Sequence, residues 1–264
     1  MADNARKFLF AGAILAAIFL PPGGAVSIAV AQPVDWAAPA TQPAVSQPQL
    51  QLWVAQLGSD DPQSRRAALS ELMDLSSHDL PALRAAAISQ HPLLPEQIAA
   101  IRQAVTQVFL AGQPYTFATD PHEDVGFLGL QWPLDAPSQP PDGVLVWSRI
   151  PGFVAYRMLQ PGDIIVKIIR RPALPDIELH DFDQFTNLVR QMHAGDVLRL
   201  QILRYGRPTD LSIRLDHKPL ILEQDPAGVK RQQWLNARAQ AAQDYWNHEF
   251  SPIDPAQATS STQP

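Results

Sequence analysis

Cysteine is absent from all 264 residues. Disulfides, thiolate metal sites, iron–sulfur clusters and cysteine nucleophiles are therefore excluded. Glycine is scarce, at 13 residues. That rules out collagen, which needs glycine at every third position. Basic blocks are equally scarce: Lys230-Arg231 and Arg170-Arg171 are as long as they get, and the net charge is −6. A nucleic-acid partner calls for a concentrated positive face, so none is expected.

Proline, by contrast, is abundant. Its 26 residues are about a tenth of the chain, roughly twice the usual share. Six fall between Pro21 and Pro48, four between Pro133 and Pro141, and none between Pro226 and Pro252. Proline therefore marks linkers, helix starts and loops rather than general disorder. Hydrophobic residues make up 46%, enough for the core of one or two domains.

Arg6-Lys7 precede a 13-residue apolar run, Phe8 to Leu20, and Pro21-Pro22-Gly23-Gly24 ends it. Ala29-Val30-Ala31 before Gln32 is a small-x-small cleavage site. As a helix the run would cover about 20 Å, short of the roughly 30 Å hydrocarbon layer. Residues 1–31 are read as an export signal, the alternatives being a retained membrane anchor or a buried helix. An exported chain without cysteine points to a bacterial envelope or secreted protein, periplasmic or released. A membrane enters only if the segment is retained. Residues 32–48 (QPVDWAAPATQPAVSQP) read as an extended linker, and residues 251–264 as a disordered tail.

Residues 49–112 read as helical. Asp61-Pro62, Leu80-Pro81 and Leu94-Pro95 open three helices, and Gly112 stops the last. A short leading helix carries Leu50, Trp53 and Val54. Leu57 to Leu72, followed by Leu80-Pro-Ala-Leu83, resembles a HEAT-like helical repeat over about 40 residues. One repeat cannot bury its own apolar face. The 95–111 helix or the next domain is expected to cover it, leaving either a plain bundle or a protein-docking surface.

Residues 125–217 read as apolar strands at Phe127–Trp132, Val144–Ile150, Ile164–Ile169, Val197–Arg204 and Leu211–Leu215, alternating clearly in the last two, with one helix from Asp181 to Met192. Gly206 and Pro208 join the last two strands as a hairpin. The fold class is therefore α+β, a small β-barrel or sandwich with one main helix behind an all-α segment. Five motifs occur in order: Gly126-Phe-Leu-Gly-Leu130, Gly143-Val-Leu-Val146, Leu159-Gln-Pro-Gly-Asp-Ile-Ile165, Phe182 to Arg190, and Gly195 to Arg204. Together they resemble a PDZ domain of the type found in bacterial envelope proteases.

The resemblance implies capture of a partner's C-terminal tail, or of an internal extended segment, by strand addition. It places the binding residues at Phe127, Leu128, Gly129, Leu130, Gln131 and Trp132, with Gln184, Leu188 and Met192 on the helix. The sequence departs from the family in three places. His122-Glu123-Asp124 stands where a basic residue is usual. Pro133 removes a strand donor. Phe153 stands where the family has serine, in a segment one residue shorter than usual.

No catalytic residue, metal site or cofactor is expected. Gly-x-Ser-x-Gly, His-Glu-x-x-His and a phosphate-cradling loop are all missing. Only 93 residues separate Gln32 from Asp124, too few for a trypsin-like protease. His180-Asp181-Phe182-Asp183 is a weak metal-hydrolase candidate, but Asp181 or Asp183 capping the helix explains it more simply. His217 reads as a surface residue. Residues 226–250, without proline after Pro226, read as a helix with Trp234, Ala237, Ala241 and Tyr245 on one face. It either packs back on the domains or binds a partner. The chain reads as an exported non-catalytic adaptor, the alternative being a regulatory or substrate-delivery partner of a separate envelope protease.

Overall fold

The computed structural model describes residues 45–132, 142–170, 174–222 and 228–253. The expected export signal, most of the linker, Pro133 and the end of the tail lie outside the described residues. Contacts divide the chain between Gln42 and Pro43, and every described residue belongs to the second unit.

Four helices come first: α1 (Gln47–Gln56), α2 (Pro62–Met73), α3 (Leu80–Ser89) and α4 (Pro95–Ala111). The linker expected through residue 48 ends earlier. Pro48 lies in the first turn of α1, where a missing N–H costs nothing. Asp61 caps α2 by accepting from the Gln63 and Ser64 amides. Gly112 follows α4 in a right-handed conformation. Its lack of a side chain serves close approach, since a Cβ there would stand 2.8 Å from the Ser77 Cβ. Leu50, Val54, Leu72, Leu83 and Ile101 are fully buried between these helices.

The apolar face of α1–α3 is closed by α4 and by α7 (Val229–Glu249). The expected α7 face is turned by about one residue. Ala237 and Ala241 are exposed, and the buried line is Arg238, Ala242 and Trp246. The reason is area: Trp246 stacks on Phe250 at 5.1 Å, and burying that pair removes more apolar surface than two alanines would. Tyr245 keeps a half-buried place stacked on Phe109 at 4.4 Å. The chain does not become a tail at residue 251. Ser251–Ile253 form a 3₁₀ turn, and Ile253 is fully buried in the helical core.

Among the described residues the β layer has nine strands: β1 (Gly126–Phe127), β2 (Leu130–Gln131), β3 (Val144–Leu145), β4 (Ser148–Arg149), β5 (Ile164–Ile168), β6 (Ile177–Glu178), β7 (Val197–Arg204), β8 (Arg207–Arg214) and β9 (Asp216–His217). All pairs are antiparallel, in the order β3-β5-β7-β8 with β6 on β5, plus the separate pairs β1–β9 and β2–β4. The architecture is α+β. Among the described residues, no helix is long and apolar enough to cross a membrane.

Two expected strands are each broken in two. Phe127–Trp132 divides at Gly129, whose φ of +80° turns the chain. Val144–Ile150 divides at Val146, where the chain leaves β5 for β2. Val146 there bonds Asp163 and Gly162 of the adjacent turn instead. Arg204 holds that turn through two bonds to the buried Asp163, at 3.0 and 2.7 Å. Such a paired, doubly bonded carboxylate is what makes a buried Asp tolerable.

Two further helices complete the layer, α5 (Val154–Met158) and α6 (Phe182–Arg190). Phe185 and Val189 of α6 enter a core with Val144, Ile165, Leu200 and Ile213.

Candidate functional site

The helical and β layers meet on the loop between β4 and α5. Phe153 is buried there, with Phe127 edge-on at 5.0 Å and Tyr115 at 5.6 Å. Arg238 of α7 donates to the carbonyls of Leu110 and Pro151, at 3.1 and 3.2 Å. Leu110 lies in the last turn of α4, where free carbonyls and the helix dipole favour a cation. Gln107 of α4 accepts from the Gly152 amide at 2.7 Å. Asp216 accepts from the Val154 amide at 2.7 Å, which satisfies one orphan donor of α5.

The same loop fixes the turn before β2. The Ile150 amide bonds the Gly129 carbonyl at 2.7 Å, and the Ala155 amide bonds the Leu128 carbonyl at 2.9 Å. Phe153 lies flat against Gly129, where a Cβ would stand 2.4 Å from its own. Sequence reasoning marked Phe153 only as a departure, yet it is the residue behind the turn. Among the described residues, no hydrogen bond engages the Leu128 or Gly129 amides.

Register decides which way β2 faces. Leu130 pairs with Arg149 and Gln131 with Ser148, while Gly129 and Ile150 are hydrogen-bonded. Antiparallel bonding alternates, so Leu130 forms a non-bonded pair, and its N–H and C=O point away from β4. Helix α6 runs along that side in the opposite direction. At one end the Gly126 amide bonds the Met192 carbonyl at 2.8 Å. At the other, Trp132 lies 4.1 Å from the Phe182 ring and donates to the Leu145 carbonyl at 3.0 Å.

The nine expected binding residues divide. Leu130, Trp132, Leu188 and Met192 are half-buried and border one apolar core. Gln131 is half-buried opposite Ser148. Leu128 is buried in that core, and Phe127 turns instead to Phe153. Gln184 is half-buried, and its amide side chain binds the Glu178 carbonyl and the His180 amide, at 3.0 and 2.9 Å. It closes the entry of α6, while Asp181 caps the helix by accepting from the Gln184 amide at 2.7 Å. Phe182 was not foreseen as a groove residue, although its place one turn before Phe185 marks it as apolar-facing.

His217 is more than a surface residue. Its Nδ1 lies 2.9 Å from Asp124, and its ring stacks on Phe117 at 4.1 Å. Asp124 is thus held by His217, while His122 and Glu123 stay exposed. Burial pushes the Tyr115 phenol up to about 12, helped by the nearby Asp216. Among the described residues, no three His, Asp or Glu side chains gather into a metal-holding group.

No protein-family profile and no curated protein matches the chain. Solved structures similar to part of it include the HtrA-type protease AlgW with a decapeptide, at 20% identity over 46% of this chain and 35% of that one, with a TM-score of 0.30. A serine-to-alanine variant of the same protease with a decapeptide gives 22% identity over 36% and 30%, with a TM-score of 0.30. With a tripeptide the figures are 23%, 36% and 33%, with a TM-score of 0.28. The chain spans about a third of the length of these proteins.

Proposed function

We propose that the chain is an exported, non-catalytic adaptor whose PDZ-like groove captures an extended polypeptide segment by adding it as a strand to β2. The observation that carries this reading is the open edge of β2, with the Leu130 N–H and C=O directed to the side where α6 lies. Strand addition uses such an edge: main-chain bonds supply affinity, and pockets for alternate side chains supply selectivity.

The unengaged Leu128 and Gly129 amides at the head of β2 suit a terminal carboxylate. Leu188 and Met192 suit an apolar last side chain. Trp132 against Phe182 closes the far end, so the captured segment is short. The hydrogen bond to His217 fixes the Asp124 carboxylate against that ring, and salt screens its charge from an incoming carboxylate. Asp181 and Gln184 are occupied in building the start of α6, which favours binding over chemistry at that cluster. Export rests on residues 1–31, and mass spectrometry of the envelope fraction should find a mature chain beginning at Gln32.

The test is a library of short peptides with apolar last residues, each made as free acid and as amide. Fluorescence polarisation should show the free acids binding about ten-fold more tightly, the worth of one charge-assisted hydrogen bond. Equal binding of the two forms would rule out carboxylate capture. Failure of every peptide, internal segments included, would sink the groove reading itself.

A further inference from the structure

A second concavity lies apart from the β2–α6 groove. It is a cleft of about 230 Å³ between α4, α7 and the Ile150–Pro151 loop. Leu110, Ile150, Pro151 and Leu235 give it apolar walls. Arg102 and Arg238 give it two guanidinium groups, and among the described residues no carboxylate lines it.

Arg238 is only 9% exposed. A buried cation is costly unless an anion or a full set of acceptors compensates it. Here compensation is partial. One nitrogen, Nη2, serves both carbonyl acceptors, and the rings of Trp234 and Phe153 lie 4.8 and 5.5 Å from the guanidinium carbon. Its Nε is buried without a hydrogen-bond partner. Arg102 donates to Gln243 and sits 5.5 Å from the Trp246 ring. Arg84, Arg157 and Arg204 each have a carboxylate partner, whereas among the described residues Arg102 and Arg238 have none.

We propose that this cleft binds a small organic acid, one carboxylate on a compact apolar body. Two unpaired guanidinium groups leave the cleft short of negative charge, and a carboxylate matches their planar fork. The apolar walls argue against an inorganic anion. Phosphate would lose hydration on the sides facing Leu110, Ile150 and Leu235 and gain no bond in return. Size agrees as well. A dry cavity of about 150 Å³ admits benzene, so this cleft has room for such a ring with a carboxylate attached.

Titration calorimetry of the full chain with phenylacetate, phenylacetamide and inorganic phosphate tests the proposal. Phenylacetate should bind, with the amide at least about ten-fold weaker for want of the charge-assisted bond. Arg102→Gln should weaken phenylacetate by a similar factor while leaving phenylacetamide and the far-UV circular dichroism unchanged. Arg102 is the residue to vary because Arg238 also holds the two layers together. In the amide NMR spectrum, phenylacetate should shift Thr106 and Gln243. No binding of phenylacetate at millimolar concentration would overturn the proposal. So would equal affinity for acid and amide, tighter binding of phosphate, or indifference to Arg102→Gln.

Discussion

At the scale of single residues, two positions show how little freedom the site has. Gly129 has φ +80°, and a Cβ would fall 2.4 Å from that of Phe153. Gly129→Ala adds backbone strain to overpacking, and a loss of about 2–4 kcal/mol is expected from urea midpoints. Peptide binding should weaken beyond what that loss explains, because the turn holds the free amides. Tyr115 makes the second case. Its phenol donates to the His217 carbonyl at 3.1 Å, and burial raises its pKa from 10.0 to about 12. The folded state therefore holds this proton more tightly than the unfolded chain does. That stabilisation is complete below pH 10 and is lost as the pH rises through about 12. Stability measured along that range should fall more steeply in the native protein than in Tyr115→Phe. An identical slope in the two would refute the assignment. The glycine was legible as a member of the PDZ-like motif, but its turn was not, since residues 127–132 read as one strand. The tyrosine was not, since its burial depends on Phe153 and Phe117, which are remote or unremarkable in sequence.

At the scale of elements, local chemistry was readable and partner choice was not. Asp61-Pro62 announced α2 because both residues act within one turn. The same holds for Asp181 at α6, where Asp181→Ala should cost about 1 kcal/mol, read from the thermal midpoint. Gln184 was expected at the groove from the PDZ resemblance alone. Its side chain reaches back to Glu178 and His180, a local engagement that a motif match cannot reveal. Helix α7 shows the same limit. Two neighbouring faces of Val229–Glu249 are each moderately apolar, and the choice between them was made by Trp246 stacking on Phe250 and by Arg238 finding carbonyls on α4 and the β4–α5 loop. The breaks within the expected 127–132 and 144–150 strands arise similarly, since the largely apolar run continues while the chain changes its pairing partner.

At the scale of the whole described unit, the helical layer and the candidate groove share one loop. Gly152 is held by Gln107 of α4, Pro151 by Arg238 of α7, and the same loop fixes the turn before β2 through Ile150 and Ala155. A side chain at Gly152 would meet Arg238 at 2.4 Å and the Leu110 backbone at 2.8 Å, at a φ of +90°. Gly152→Ala must therefore push α4 and α7 away from the β layer or distort the loop. The expected cost is about 2–4 kcal/mol. If the layers form one cooperative unit, the far-UV signal of the helices and the fluorescence of Trp132 beside the groove should shift to lower urea together. Trp132 can be isolated by replacing the other tryptophans with phenylalanine. Shifts of different size would mean that the layers unfold separately, and the loop would then be a contact rather than a joint. Equal shifts, with peptide binding weakened by Gly152→Ala, would mean that the helical layer sets the shape of the groove through this loop.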